Sequence, residues 1–270
     1  MKSFKKIAAL AMALMMFFAL AACGSDDAKT DDTDKNEEEK ETLTFGTSAD
    51  YAPFEFHTMV NGVDTIAGFD VEIAKQVAAD MGKELEIKDI SFDVLLNELQ
   101  NGTIDFVVAG MSADEERLKQ ADASDVYYDA AYQRVVVRKE DADKYKSFDD
   151  FAGVKVGVQS GTIQVDLATE NLTGCETLIL QGVPDLFNNL INGKCDAVLV
   201  DGNVGDGYIA SNDTLTSVEL EFPPVDGCVV WVQKGDPQGL LESINKTISK
   251  IKEDGSLDKW MKEADELSGQ

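Results

Sequence analysis

The stretch that decides the fold is Asp105–Tyr128, DFVVAGMSADEERLKQADASDVYY. It opens on Phe106–Ala109, an apolar run with the length and β-branched content of a buried parallel strand. Gly110 then lets the backbone turn and leaves main-chain groups open to approach. Ser112 stands three residues before Glu115, the spacing of a capping box, and predicts a helix start there. Asp114, Glu115 and Glu116 fill the first turn, where the positive end of the helix dipole favours carboxylates. Arg117 follows, a cation beside that same positive end. It has two readings: an i,i+3 pair with Asp114 on a solvated face, contributing a few tenths of a kcal/mol, or a cation facing an anion that comes from elsewhere.

Working outward, Thr42–Thr47 (TLTFGT) reads as a strand by its β-branched and aromatic content. Ser48–Phe56 (SADYAPFEF) reads as an extended loop, because Pro53 biases Ala52 away from helix. Tyr51 at its crown suits ligand stacking, while Phe54 and Phe56 suit the core. Asp70 is expected to cap a helix reaching about Met81, with Val71, Ala74, Val77 and Ala78 on its apolar face and Gly82 ending it. Leu85–Ile90 is the next strand, Ser91-Phe92 follows its end, and Asp93–Gln100 reads as a helix. Together with Phe106–Ala109 this makes β-α-β-α-β, a parallel sheet with crossover helices.

Downstream the pattern returns. Ala131–Lys139 (AYQRVVVRK) reads as a long strand, Val154–Val158 as another, and Ser160-Gly161-Thr162 as a turn into a helix over Ile163–Leu172. Thr177–Leu180 is a strand, Pro184 suits the first turn of a helix, and Ala197–Val200 is a strand ending at Asp201. The second β-α-β-α-β differs from the first in sequence, so the repeat is one of architecture. Phe222-Pro223-Pro224 leads back to a strand at Val229–Gln233. An amphipathic helix then turns Leu240, Leu241, Ile244, Ile248 and Ile251 inward, and these terminal elements are expected to pack on the first half.

The chain has 270 residues and a formal net charge of −27. Such a surface repels phosphate backbones, so nucleic acid is excluded as a partner. Residues 1–22 carry Lys2, Lys5 and Lys6, then a continuous apolar run over Ile7–Ala19, the pattern of a secretory signal rather than a membrane span. Leu20-Ala21-Ala22-Cys23 resembles a lipobox, in which Cys23 is lipidated and tethers the exported protein to the membrane. Residues 23–41 are crowded with Asp and Glu and cannot bury enough apolar area to offset ordering entropy, so an acidic disordered tether is expected. Cys175, Cys195 and Cys228 allow one disulfide plus a free thiol, or three free and mostly buried thiols, the reading preferred here. No CxxC occurs and His57 is the only histidine, so no metal or other cofactor is expected.

Polar residues collect after strand ends in both halves: Ser48, Tyr51, Phe92, Gly110, Ser112 and Arg117, then Gln159, Thr162 and Ile163, then Asp201. In open α/β sheets, ligands gather at those ends. A guanidinium, a carboxylate and two helix starts suit a zwitterion, whose carboxylate takes a bidentate Arg and free N–H groups. Its ammonium takes Asp201, the Gly110 carbonyl and a hydroxyl such as Ser112, and its side chain lies between Tyr51 and Phe92. Asp201 has the plainer reading of an N-cap for the next helix.

The segments YAPFEF (Tyr51–Phe56), GFDVEIAKQVA (Gly68–Ala78), LLNELQNGTIDFVVAGMSADEERLK (Leu95–Lys119), SDVYYDA (Ser124–Ala130), VKVGVQSGT (Val154–Thr162), GKCDAVLVD (Gly193–Asp201) and VQKGDP (Val232–Pro237) resemble the bacterial solute-binding proteins of family 3. These serve uptake of polar amino acids by ABC transporters. The resemblance spans Thr42 to Met261. It implies an α/β, two-lobed, periplasmic-binding-protein-like fold of type II, a Venus flytrap. The lobes would be residues 42–127 plus 229–270 and residues 130–224, with hinges near 128–129 and 225–228. Carried over by position, Arg117, helped by Ser112 and the Thr162–Ile163 backbone, holds the ligand carboxylate. Asp201 and Gly110 hold the ammonium, Tyr51 and Phe92 flank the side chain, and Gln159 stands nearby. The implied partners are a polar amino acid and the membrane subunits of an ABC permease, for a monomeric, non-catalytic protein on the outer face of the cytoplasmic membrane. Ser48 departs from the Asp of many members, with Asp50 able to compensate, and Asp114 departs from a frequent Thr. Two other functions fit the same fold: a prephenate-type dehydratase, with Glu55 or Asp50 as general acid, and an amino-acid-sensing surface lipoprotein.

Overall fold

A computed structural model describes residues 41–129 and 132–269. The expected export signal, Cys23 and all of the expected acidic tether but Glu41 lie outside the described residues. The chain begins with β1 (Thr42–Thr47), β2 (Asp50–Tyr51), β3 (Glu55–Val60), β4 (Val63–Ala67), α1 (Phe69–Asp80) and β5 (Glu84–Asp89). It continues through α2 (Leu95–Gln100), β6 (Phe106–Val107), α3 (Glu115–Gln120), β7 (Ala121–Tyr128) and β8 (Gln133–Arg138). Then come β9 (Lys155–Gln159), α4 (Ile163–Asn171), β10 (Glu176–Leu180), α5 (Val183–Ile191), β11 (Ala197–Asp201), α6 (Gly202–Ser211) and β12 (Leu215–Val218). The last elements are β13 (Cys228–Gln233), α7 (Leu241–Glu253) and α8 (Ser256–Ser268).

Two five-stranded sheets carry the molecule, in the orders β5-β1-β6-β13-β7 and β10-β9-β11-β8-β12. In each, three parallel strands lie second-first-third, a fourth pairs antiparallel with the third, and a fifth pairs antiparallel with the fourth. The repeat read from the sequence is therefore present in topology. The chain passes from the first sheet to the second between β7 and β8 and returns between β12 and β13. That gives the two-lobed α/β fold and brings α7 and α8 back onto α1 and β7.

The apolar pattern explains why these segments pack. Phe106 to Ala109 are all fully buried, as a central parallel strand requires. Val71, Ile73, Ala74, Val77 and Ala78 of α1 are buried, with Ile244, Ile248 and Ile251 of α7 in the same cluster. Each fully buried Ile or Val side chain contributes roughly 1.5–3 kcal/mol by leaving water. Trp231 on β13 is the largest fully buried side chain among the described residues and packs with Leu95, Leu99 and Ile104.

Several local expectations are corrected. Ser48–Phe56 is not a plain loop: β2, β3 and β4 form a separate three-stranded antiparallel sheet closed by the Asn61-Gly62 turn. Asp70 does not cap α1. Gly68 holds the N-cap position and Asp70 lies inside the first turn, fully buried, accepting from Gly110 N–H (2.6 Å) and the Tyr127 hydroxyl (2.8 Å). The cap of α3 is Asp114 rather than Ser112, and residues 121–128 beyond it turn into an eight-residue strand. Asp93 belongs to a short 3-10 turn over Phe92–Val94 that precedes α2. The strand read at Ala131–Lys139 spans Gln133–Arg138. Cys175, Cys195 and Cys228 are free thiols, the last two buried.

Candidate ligand-binding site

The two lobes meet along a seam at the carboxyl ends of their parallel strands. From the first lobe, the buried run ends at Gly110, whose φ of +54° is left-handed and whose Cβ, if present, would sit 3.3 Å from the Tyr51 ring. Its N–H is taken by Asp70 and its carbonyl accepts the Cys228 thiol at 3.2 Å. Ser112 pairs with Cys228 in an isolated β-bridge, which holds the loop against β13.

Arg117 projects from the first turn of α3 and is only 8% exposed. Its Nε pairs with Asp114 Oδ2 at 3.1 Å, and Asp114 Oδ1 also accepts the Arg117 N–H at 2.8 Å, so one carboxylate both caps the helix and pairs with the cation. Nη1 donates to the Ser112 carbonyl at 2.8 Å and lies 3.4 Å from the Ser112 hydroxyl. Nη2 crosses the seam to the Gly161 carbonyl at 3.0 Å. The guanidinium carbon stands 5.6 Å from the centre of the Phe92 ring, a cation–π distance. The sequence offered two readings of Arg117, and both hold in part: the Asp114 pair exists, but on a buried wall. Burial lowers the guanidinium pKa and Asp114 counters it; an Arg stays protonated regardless.

From the second lobe, Asp201 ends β11 and accepts the Asn203 N–H at 3.0 Å, so it does cap α6. Burial pushes its carboxyl up to about 7, against the lowering effect of the Asn203 N–H. Thr162 precedes α4 and spends its hydroxyl on the Gln159 carbonyl at 2.8 Å. Gly161, at φ +76°, lets this turn approach Asp93 so closely that a Cβ would lie 2.8 Å from the Asp93 Cα.

A cavity of about 30 Å³ lies between these walls. It is lined by Tyr51, Phe92, Gly110, Ser112, Arg117, Thr162, Ile163 and Asp201. That volume holds a water or two, so any larger guest requires the lobes to part and Arg117 to exchange the Gly161 carbonyl for the guest. Ser48 and Gln159, the other two residues singled out in the sequence, stand outside the lining. The Ser48 hydroxyl lies 3.4 Å from Asp50 Oδ1, and Gln159 Nε2 donates to the Gln181 carbonyl at 2.8 Å. Gln133, Gln164, Val225 and Cys228 complete the wall and were not anticipated. Gln164 donates to Gln133 at 2.9 Å. Neither carries a local signal, since a glutamine in a strand or in a helix's first turn reads as ordinary surface.

Glu55 and Asp50, the two acids nominated for a dehydratase, are both absent from the lining of the cavity. Glu55 is fully buried beside Asp70, and burial together with the Asp70 charge raises its pKa strongly, which favours its neutral form. Among the described residues no cluster of His, Cys, Asp and Glu could hold a metal ion, and no helix is long and apolar enough to cross a membrane.

Residues 43–263 match the family described as bacterial extracellular solute-binding proteins, family 3. The chain belongs to that family. It is 34% identical over 260 residues to the arginine-binding extracellular protein ArtP of Bacillus subtilis, covering 96% of this chain and 97% of the relative. It is 32% identical over 279 residues to the glutamine-binding protein GlnH of the same organism, covering 96% and 98%. Among solved structures, the amino acid ABC transporter substrate-binding protein AbpA of Streptococcus pneumoniae, bound to L-arginine, superposes with a TM-score of 0.80. That pair shares 36% identity over 84% of this chain and 95% of the other.

Proposed function

We propose that this solute-binding protein captures a polar amino acid between its lobes and hands it to the permease subunits of an ABC importer. One observation carries the reading: a buried guanidinium and a buried carboxylate, from opposite lobes, line the same small cavity. A zwitterion answers both charges at once. Arg117, with Ser112, Thr162 and Ile163, receives the carboxylate. Asp201 and the Gly110 carbonyl receive the ammonium, and Tyr51 and Phe92 flank the side chain. Ser48 and Gln159 lie further along the seam, where the end of a long side chain reaches. The lobes are residues 42–127 plus 229–270 and residues 130–224, turning on hinges near 128–129 and 225–228. A ligand that touches both lobes stabilises their closed arrangement, and closure is the signal that the permease reads. The relatives' names make L-arginine the first candidate ligand, followed by L-cystine, L-glutamine and L-histidine. A lipid on Cys23 anchors the exported monomer to the membrane that holds its permease.

A thermal-shift panel of L-arginine, L-glutamine, L-histidine and L-cystine tests the reading. At a hundredfold excess over Kd, a ligand of this site stabilises by about 2.7 kcal/mol. No shift with these four or with any other polar amino acid would defeat it.

A further inference from the structure

Away from the cavity of Arg117 and Asp201, another carboxylate crosses the seam. Asp50 stands on β2, and its Oδ2 accepts the N–H of Val183, the first residue of α5, at 2.9 Å. Oδ1 lies 3.4 Å from the Ser48 hydroxyl and 3.5 Å from Nε2 of Gln159, at the end of β9. The fit is close: a Cβ on Gly182 would sit 3.4 Å from Asp50 Oδ2.

The helix that receives this carboxylate has no cap of its own. Gly182 occupies the N-cap position of α5, and no side chain bonds the first N–H groups from there. A nine-residue helix presents partial positive charge and unpaired donors at that end. The anion that answers them comes from the opposite lobe. When the lobes part, Gly182 has no side-chain oxygen with which to replace it, and the Val183 N–H returns to water.

The other bonds across the seam differ in kind. The Ser160 hydroxyl donates to Asp93 Oδ2 at 3.0 Å in an exposed position, where solvent competes. Arg117 to the Gly161 carbonyl belongs to the proposed carboxylate site and must be given up to a ligand. The Asp50 contact is half-buried, and Asp50 does not line the small cavity. A ligand held at Arg117 and Asp201 therefore need not displace the bond between Asp50 Oδ2 and the Val183 N–H.

We propose that Asp50 is a positioning residue for lobe closure, a helix cap supplied in trans that stabilises the closed arrangement whichever amino acid is bound. Because apparent affinity scales with the fraction of molecules in the competent arrangement, loss of the cap weakens all ligands alike. A residue that reads a cationic side chain would instead affect one class of ligand.

Small-angle scattering of the protein without added amino acid, and calorimetry with L-arginine and L-glutamine, separate these roles. Asp50→Ala is expected to increase the radius of gyration and to weaken both ligands by the same factor, about two- to threefold when the ligand-free wild type is already partly closed. Asp50→Asn keeps an acceptor for the Val183 N–H and controls for folding; it is expected to fall between wild type and Asp50→Ala in both readouts. An unchanged scattering profile overturns the proposal, and so does a loss confined to L-arginine. The calorimetric arm rests on the amino-acid reading of the cavity, whereas the scattering arm uses no ligand. Failure of every amino acid to bind wild type therefore counts against capture and leaves scattering to decide the role of Asp50.

Discussion

The two walls of the seam come from the same β-α-β-α-β pattern, yet they carry their charges differently. In the first lobe the central strand runs out at Gly110 and the charge sits further on, on α3. In the second the equivalent strand ends directly on the charge, Asp201. The guanidinium of Arg117 is richly compensated, by Asp114, by two oxygens of Ser112 and by the Gly161 carbonyl. Asp201 has backbone N–H groups at the start of α6 but, among the described residues, no cation, and burial lifts its carboxyl to about 7. A carboxylate buried without a cation is costly. The second wall is thus the one that gains most from an incoming positive charge, whereas the first must trade existing partners for a new anion.

The largest expected effect lies on the compensated wall. Arg117→Ala removes the guanidinium donors aimed at a ligand carboxylate, leaving only neutral ones, and is expected to abolish amino-acid binding, a loss of at least a hundredfold by calorimetry. The circular dichroism spectrum should stay that of wild type. Normal binding by this variant would return Arg117 to a structural ion pair. Next comes the uncompensated wall. An ammonium favours the charged form of Asp201, so affinity should be full above pH 7 and fall by up to about tenfold per pH unit below it. Asp201→Asn should bind weakly at every pH and lose that slope. A wild-type affinity that is flat from pH 8 to 5.5 would break the contrast between the walls.

A smaller effect sharpens it. Asp114→Asn keeps a capping oxygen for α3, since Asn caps about as well as Asp, but withdraws the carboxylate that competes for the guanidinium. Affinity should rise a few-fold, with a melting temperature within a few degrees of wild type. Weaker binding would mean that Asp114 orients Arg117 more than it competes for it.

The smallest expected effect concerns the carboxyl behind the first wall. Burial raises Asp70 to about 6, although the Gly110 N–H and the Tyr127 hydroxyl pull the other way. Its folded value lies above its ordinary 3.8. Its favourable contribution is therefore complete below the ordinary value and lost as pH rises through about 6. The melting temperature should decline by a few degrees over that window. Asp70→Asn should reduce the decline, leaving the part that Glu55 contributes.

The strand Thr42–Thr47 stands where its composition placed it, α4 and β11 lie within a residue or two of their expected limits, and Pro184 stands in the first turn of α5 as expected. Those segments are patterned by burial, which repeats at the period of the element. The sheet of β2, β3 and β4 escaped notice because Pro53 and the surrounding aromatics read as a loop, and strand pairing there is settled by partners several residues away. The strand over residues 121–128 was hidden by its small and acidic residues. It is a strand because β13, more than a hundred residues later, pairs with it.

Sequence by itself determined the layered α/β architecture, its repetition, and the residue types that collect at strand ends, because periodicity and turn chemistry are local. It also singled out Arg117 as a cation out of place. Only the tertiary structure decided which oxygens surround that cation, that Gln133 and Gln164 complete the wall, and that Asp50 of one lobe caps a helix of the other. Those facts depend on how two separately folded sheets meet, and no local pattern in the chain records the distance between them.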